Sequence, residues 1–331
     1  MPEPHPLSRR ELLRAAGGAL VAGSALSLAQ PPESLVALLY ASLTPAQRRA
    51  VCFAWDHEDA ELGLLRTRVA ANWRISEPEL AGDFFSAEQR ALVRAIFEGI
   101  TSPEWHARFD RQLADDAGGF GRHQAIAIFG EPGTSRFEFV LTGRHMTLRC
   151  DGNSADHVAF GGPIFYGHAT GSWWSGGFLE RAAHPGNVFW PQALEANRLY
   201  AMLDGRQRAL ALLPELPEEH AVELRGADAP ATGIPIAELS RDQREEAQRI
   251  LRALVDPFRQ SDRDEVSAAL RAQGGLDRCA LAFYAERDLG GDGIWDHFRL
   301  EGPAFAWYFR GAPHVHVWVH VADTPGVALN A

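Results

Sequence analysis

With 331 residues, 46% of them apolar, the chain is long enough for one large domain or two of average size around a real core. A formal charge of −11 argues against nucleic acid or anionic lipid as a partner. There is no lysine at all, which removes Schiff-base chemistry, a lysine general base and the phosphate-loop lysine together.

No G-x-S-x-G, H-E-x-x-H, C-x-x-C or helix-opening G-x-G-x-x-G is present, so the common hydrolase, protease and nucleotide-binding classes lose their signatures. Cys52, Cys150 and Cys279 are odd in number and scattered, which fits three small buried side chains better than a disulfide framework or thiolate metal site.

At the start, Ser8-Arg9-Arg10-Glu11-Leu12-Leu13-Arg14 precedes a weakly apolar Ala- and Gly-rich run from Ala15 to Leu28. That order predicts a twin-arginine signal peptide over residues 1–29, cut near Ala29, with the twin-arginine export machinery as a partner. The run is too short for a stable membrane anchor. The mature chain is expected in the periplasm or outside the cell.

Four segments then carry one pattern: Thr44 with Gln47, Ser86 with Gln89, Asp204 with Gln207 and Ser240 with Gln243. In each, the cap oxygen accepts from an early helix N–H and the glutamine reaches back, so each starts a helix. After the second and fourth helices the text alternates as strands do, Ala125 to Cys150 and Cys279 to Phe309, with Phe139-Val140-Leu141-Thr142-Gly143 matching Phe298-Arg299-Leu300-Glu301-Gly302.

The predicted fold is α+β and internally duplicated, with helices around a central antiparallel sheet formed by two β-hairpin units. Residues 30–331 are expected to form a single pseudo-symmetric domain, with repeat halves of about 40–150 and 200–321. The Gly- and Trp-rich segment 151–197 joins them as an ordered functional loop.

Near the end, the stretch Gly311 to Val321 reads GAPHVHVWVHV. On a strand, His314 and His316 share a face and sit roughly 6.6 Å apart, within reach of one ion. His320 lies about 13 Å beyond His316 and is left out. His145, on the alternating strand Thr142 to Cys150, is the best third ligand, and His168, on a glycine-flanked loop, is an accessory candidate. Three imidazoles with an open position suit copper, zinc or iron. The alternative is a polar sheet face, with Trp318 as core packing.

Arg149, with Arg144 and Arg299, is a candidate anchor for an acidic substrate group or a surface ion pair. Asp288 to Gly293 (DLGGDG) reads as a turn rather than a calcium loop. Trp55 to Glu61 (WDHEDAE) reads as a solvated acidic face.

The chain resembles a bacterial family of unknown function, the domain of unknown function 3500 family, whose members often follow a signal sequence. The resemblance rests on NWRI (Asn72 to Ile75), SAEQRAL (Ser86 to Leu92), FGEP (Phe129 to Pro132), TGRHMTLRC (Thr142 to Cys150), EGPAF (Glu301 to Phe305) and the histidine pair before Trp318. It implies recurring motifs at His145, His314, His316 and Trp318 and no established reaction. Together these readings predict an exported metal-binding protein. They favour an enzyme whose chemistry is oxidative rather than hydrolytic, acting on a small molecule or peptide. The alternative is a metal-free binding or scaffold protein gripping its ligand with Trp173, Trp174 and Trp318.

Overall fold

The computed structural model describes residues 30–169, 184–220 and 222–327; the leader with Arg9 and Arg10, and Trp173 and Trp174, lie outside the described residues. The chain opens with α1 (Pro32–Ser42) and α2 (Pro45–Val51), a short strand β1 (Cys52–Phe53), and the small hairpin β2 (Glu58–Asp59) and β3 (Gly63–Leu64). Helices α3 (Ala87–Ile100) and α4 (His106–Ala117) follow, then strands β4 (Gln124–Gly130), β5 (Phe137–Gly143), β6 (Met146–Cys150) and β7 (Ile164–His168).

A second run again places short strands between two pairs of helices and ends on four strands. It comprises α5 (Trp190–Met202), α6 (Gly205–Ala211), β8 (Leu212–Leu213), β9 (Ile234–Pro235), α7 (Arg241–Val255) and α8 (Gln260–Ala272). Four strands close it: β10 (Ala280–Tyr284), β11 (His297–Gly302), β12 (Phe305–Arg310) and β13 (Val315–Val321).

All four expected capping boxes are formed, each with both reciprocal hydrogen bonds. The glutamines do more than cap. Gln47 and Gln89 exchange amide hydrogen bonds at 2.9 and 3.1 Å, and Gln207 and Gln243 do the same at 3.0 and 2.8 Å. In each run the starts of two helices are therefore tied side by side, α2 to α3 and α6 to α7.

The sheet is larger and less uniform than two antiparallel hairpins. It has eleven strands in the order β1-β4-β5-β6-β7-β13-β12-β11-β10-β8, with β9 pairing β10. It is mixed, because β1 runs parallel to β4 and β8 parallel to β10. The expected linker also corrects: residues 164–168 within segment 151–197 form β7, which pairs with β6 on one side and β13 on the other and so joins the two runs. Its short text, Ile164-Phe165-Tyr166-Gly167-His168, hides a fully buried strand because both faces are covered.

One face of the sheet carries the main core. Ile126, Ile128, Phe139, Leu141, Met146 and Leu148 pack under α1, α3 and α4, and Phe298, Leu300, Trp307, Val317 and Val319 under the helices of the second run. The other face is covered by chain without regular helices and holds two smaller clusters. One gathers Trp55, Leu65, Ile75, Phe129 and Val140, the other Phe165, Tyr284, Tyr308, Trp318 and Val222. Alternation along β13 decides which residues meet which layer: Val315, Val317, Val319 and Val321 enter the helix-side core, so His316, Trp318 and His320 face the other layer. Among the described residues no helix is long and apolar enough to cross a membrane.

Candidate metal centre

The site forms at one end of the sheet, where the β5–β6 turn, the end of β7 and the start of β13 meet. His145 is not on an alternating strand, as the sequence suggests, but at the second position of the two-residue turn between Gly143 and Met146, with a φ of 51°. Histidine tolerates this left-handed region better than most residues, yet the position has to be held. Segment 70–75 holds it. The His145 N–H donates to the Ala71 carbonyl at 3.0 Å, Asn72 bridges Arg144, and the Trp73 indole donates to Thr147 Oγ1 at 2.9 Å.

Strand β7 lies between His145 and His316, and a side chain there would separate them. The residue opposite His316 is Gly167. Paired residues share a face, so the missing side chain leaves a gap directly between the two imidazoles. A Cβ at Gly167 would lie 3.4 Å from His145 Cδ2 and 2.2 Å from the Val315 carbonyl oxygen.

Across this gap the three expected ligands converge. His145 Nε2 is 3.1 Å from His316 Nε2, which is 2.9 Å from His314 Nε2. One ring nitrogen from each of the three residues lies within 4.8 Å of the other two. Two nitrogens bound about 2.1 Å from one tetrahedral ion stand about 3.4 Å apart, so the observed spacing is close to that of a shared ion. His145 and His316 are buried, at 4% and 8% exposure, while His314 lies nearer the surface just before β13.

Two carboxylates that sequence reasoning missed fix the orientation of the rings. Asp116, at the end of α4, accepts from His145 Nδ1 at 2.6 Å, and Glu219, on the segment after β8, accepts from His316 Nδ1. With the proton committed to Nδ1, each neutral ring turns the lone pair of Nε2 toward the other. Two lone pairs cannot face each other at that distance without a proton or a cation between them. The only textual trace of Asp116 is the Asp115-Asp116 pair at the end of an amphipathic helix, and nothing near Glu219 singles it out from its acidic neighbours.

Electrostatics agree with neutral ligands. Burial, with the Arg310 guanidinium adding to it, pushes His314 down to about 3. Burial likewise holds His316 well below the usual imidazole value, with Arg310 adding to it. Burial alone would raise Asp116, but His145 and Arg144 override it and keep the carboxyl below its ordinary range. Arg310 donates to Glu219 at 2.7 Å and to the His314 carbonyl at 3.3 Å, so one guanidinium braces both the second carboxylate and the backbone of a ligand.

The accessory residues lie elsewhere. His168 pairs across the strand with Val315, which enters the helix-side core, and its Nε2 lies 2.7 Å from Asp115 instead of closing over the three histidines. Arg149 is fully buried against Glu138 at 2.6 Å and also donates to the carbonyls of Arg68 and Pro163, so it is no substrate anchor. Arg144 is bound to Asp116 and Arg299 to Glu301. Trp318 stacks edge-on against Phe165, 4.6 Å between centroids, and is packed rather than presented to a ligand. His320 donates through Nδ1 to the Val222 carbonyl at 2.9 Å, outside the cluster.

The fold and site thus define an α+β protein with one broad mixed sheet and three convergent imidazoles at its end, a group that could hold a metal ion. The chain belongs to the family described as protein of unknown function (DUF3500), which matches residues 29–321. Comparison with curated proteins and with solved structures finds no match.

Proposed function

We propose that the mature chain is an exported metalloprotein that holds one copper, zinc or iron ion through Nε2 of His145, His314 and His316, and that it acts as an enzyme. The observation that carries this reading is the pair of carboxylates on the far side of the rings: Asp116 and Glu219 commit the Nδ1 protons and leave the Nε2 lone pairs of His145 and His316 facing each other. Three protein ligands leave a coordination position for substrate, the arrangement of a catalytic rather than a structural site. An ion there would supply a Lewis acid or a redox centre. An all-nitrogen donor set suits copper above zinc in affinity, which is why oxidative chemistry on a small molecule or peptide is preferred to hydrolysis.

The matching order of elements in the two runs, and the twin glutamine ties at their helix starts, support reading the chain as an internal duplication. Export through the twin-arginine route is supported by the leader text and by a family match that begins at residue 29, where that leader is expected to end.

Elemental analysis of the protein purified from the periplasm tests the reading, beside a His314→Ala/His316→Ala double variant. The expected result is that the variant holds about one equivalent less of copper, zinc or iron than the wild type. Copper or iron that changes oxidation state on mild reduction would favour the oxidative assignment, and zinc alone would move the proposal to hydrolysis. A wild type that neither contains nor takes up these metals would sink the metalloprotein reading.

A further inference from the structure

A second group of donors lies on the helix side of the same sheet end. Consecutive residues on a helix point about 100° apart, so the adjacent carboxylates of α4 serve different neighbours: Asp116 turns to His145 and Asp115 to His168. His168 is fully buried, with Nε2 2.7 Å from Asp115 Oδ2. His184 brings Nδ1 to 3.4 Å from the same oxygen, and its ring stacks on that of His168 with 5.7 Å between centroids. One donor atom from each of the three residues lies within 4.8 Å of the other two.

Three further observations point to a cation. The last turn of α4 carries two carboxylates and no basic side chain, at the end where the helix dipole is itself negative. Arg144 relieves this at Asp116, whereas the partners of Asp115 among the described residues are two imidazoles. Gly186 lets the backbone pass close to both donors: a Cβ there would lie 2.5 Å from Asp115 Oδ2 and 2.7 Å from His168 Nε2, so any side chain would crowd them. Next to it, Asn187 closes a turn by donating its N–H to the His184 carbonyl, and its side-chain amide is 5% exposed with neither oxygen nor nitrogen hydrogen-bonded. A buried amide without partners is costly, and its oxygen is a ready additional donor.

We infer that Asp115, His168 and His184 form a second binding site, for a divalent transition-metal ion, with Asn187 beside it. Two imidazoles and one carboxylate make a harder, anionic donor set than the three histidines, suited to zinc, manganese or ferrous iron. The donors come from α4, the end of β7 and the turn at 184–187, so an ion there ties three segments together. This site stands on observations independent of the three-histidine cluster.

The test is a count of bound metal. Protein stripped with a chelator is titrated with Co²⁺ and with Zn²⁺, followed by cobalt absorption and elemental analysis, for the wild type, Asp115→Asn/His184→Gln and His314→Gln/His316→Gln. His184 is a third exposed and lies outside any helix or strand, so its variant is expected to fold, with circular dichroism as the check. Two ions in the wild type and one in each variant is the expected result. A single ion that survives loss of His314 and His316 and disappears with Asp115 and His184 upholds this site and overturns the first. Two ions still bound by Asp115→Asn/His184→Gln, a single ion lost only with His314 and His316, or no ion bound at all, would overturn it. If the Asp115 variant misfolds, Gly186→Ala, which fills the space beside both donors, replaces it with the same expected loss of one ion.

Discussion

Asp116 accepts from Nδ1 of His145 at 2.6 Å through one carboxylate oxygen while its other oxygen takes the Nε–H of Arg144 at 2.8 Å, so one buried acid fixes both residues of the β5–β6 turn. Asp116→Asn keeps the size of the side chain but exchanges a carboxylate for an amide that no longer enforces the Nδ1 tautomer. Loss of such an outer partner typically costs 10–100-fold in metal affinity. Competition with a chromophoric chelator is expected to show that drop, together with lower stability in urea unfolding, because the buried Arg144 exchanges a carboxylate for a neutral amide. Unchanged affinity would mean that segment 70–75 alone positions His145.

Gly167 is the second point at which the site can be probed without touching a ligand. Gly167→Ala would place a methyl 2.2 Å from the Val315 carbonyl and against His145, with backbone on one side and a held ring on the other. Strand β7 would have to move away from β13. Occupancy of the three-histidine site is expected to fall below half of its wild-type value, with a lower midpoint in thermal unfolding. A variant that loads fully would show that His145 reaches the pair by another path.

Much of this was readable in advance, and the failures have physical causes. Capping boxes are local chemistry, so Thr44, Ser86, Asp204 and Ser240 announce their helices from four residues of text. Period-2 alternation likewise put His316, Trp318 and His320 on one face. The sequence points to His145 as a ligand but not to its place in a turn, because a histidine at positive φ in a tight turn looks, in one dimension, like another residue of its strand. Strand β7 looks like linker in the sequence because five residues buried on both faces show no alternation. Asp116 and Glu219 are joined to their histidines over 29 and 97 residues of sequence, a distance at which only the tertiary fold carries information.

Arg149 belongs to a buried network, with Glu138 between two guanidiniums: Arg149 at 2.6 Å and Arg66 at 3.0 Å, all three fully enclosed. Glu138→Gln would leave two like charges facing a neutral amide. Removing one partner from a buried ion pair costs about 3–5 kcal/mol, and that loss should appear in urea unfolding. Metal stoichiometry should stay at the wild-type value, because none of these three residues touches the histidines. A change in stoichiometry without a change in stability would reverse these roles and restore Arg149 to the site.

His297, two strands from His316 in the same register row, provides a pH test at a residue that is none of the proposed ligands. It is fully enclosed opposite Arg310, and burial, which outweighs a hydrogen bond with the Arg287 backbone and is aided by the Arg310 charge, pushes its pKa from 6.5 down to about 4. Between those values the unfolded chain binds a proton that the folded chain excludes. Its contribution to stability is therefore complete above pH 6.5 and is lost as the pH falls toward 4. At pH 5 the linkage amounts to about 2 kcal/mol for one such group. In His297→Gln the proton-binding group is gone, while the remaining titrating groups are common to both proteins and cancel in the comparison. Urea unfolding of metal-free protein at pH 7.5 and pH 5 should show the wild type losing about 2 kcal/mol more than the variant over that interval. Equal losses would mean that His297 takes up its proton inside the folded protein as easily as outside it, with Arg310 turned away from the ring.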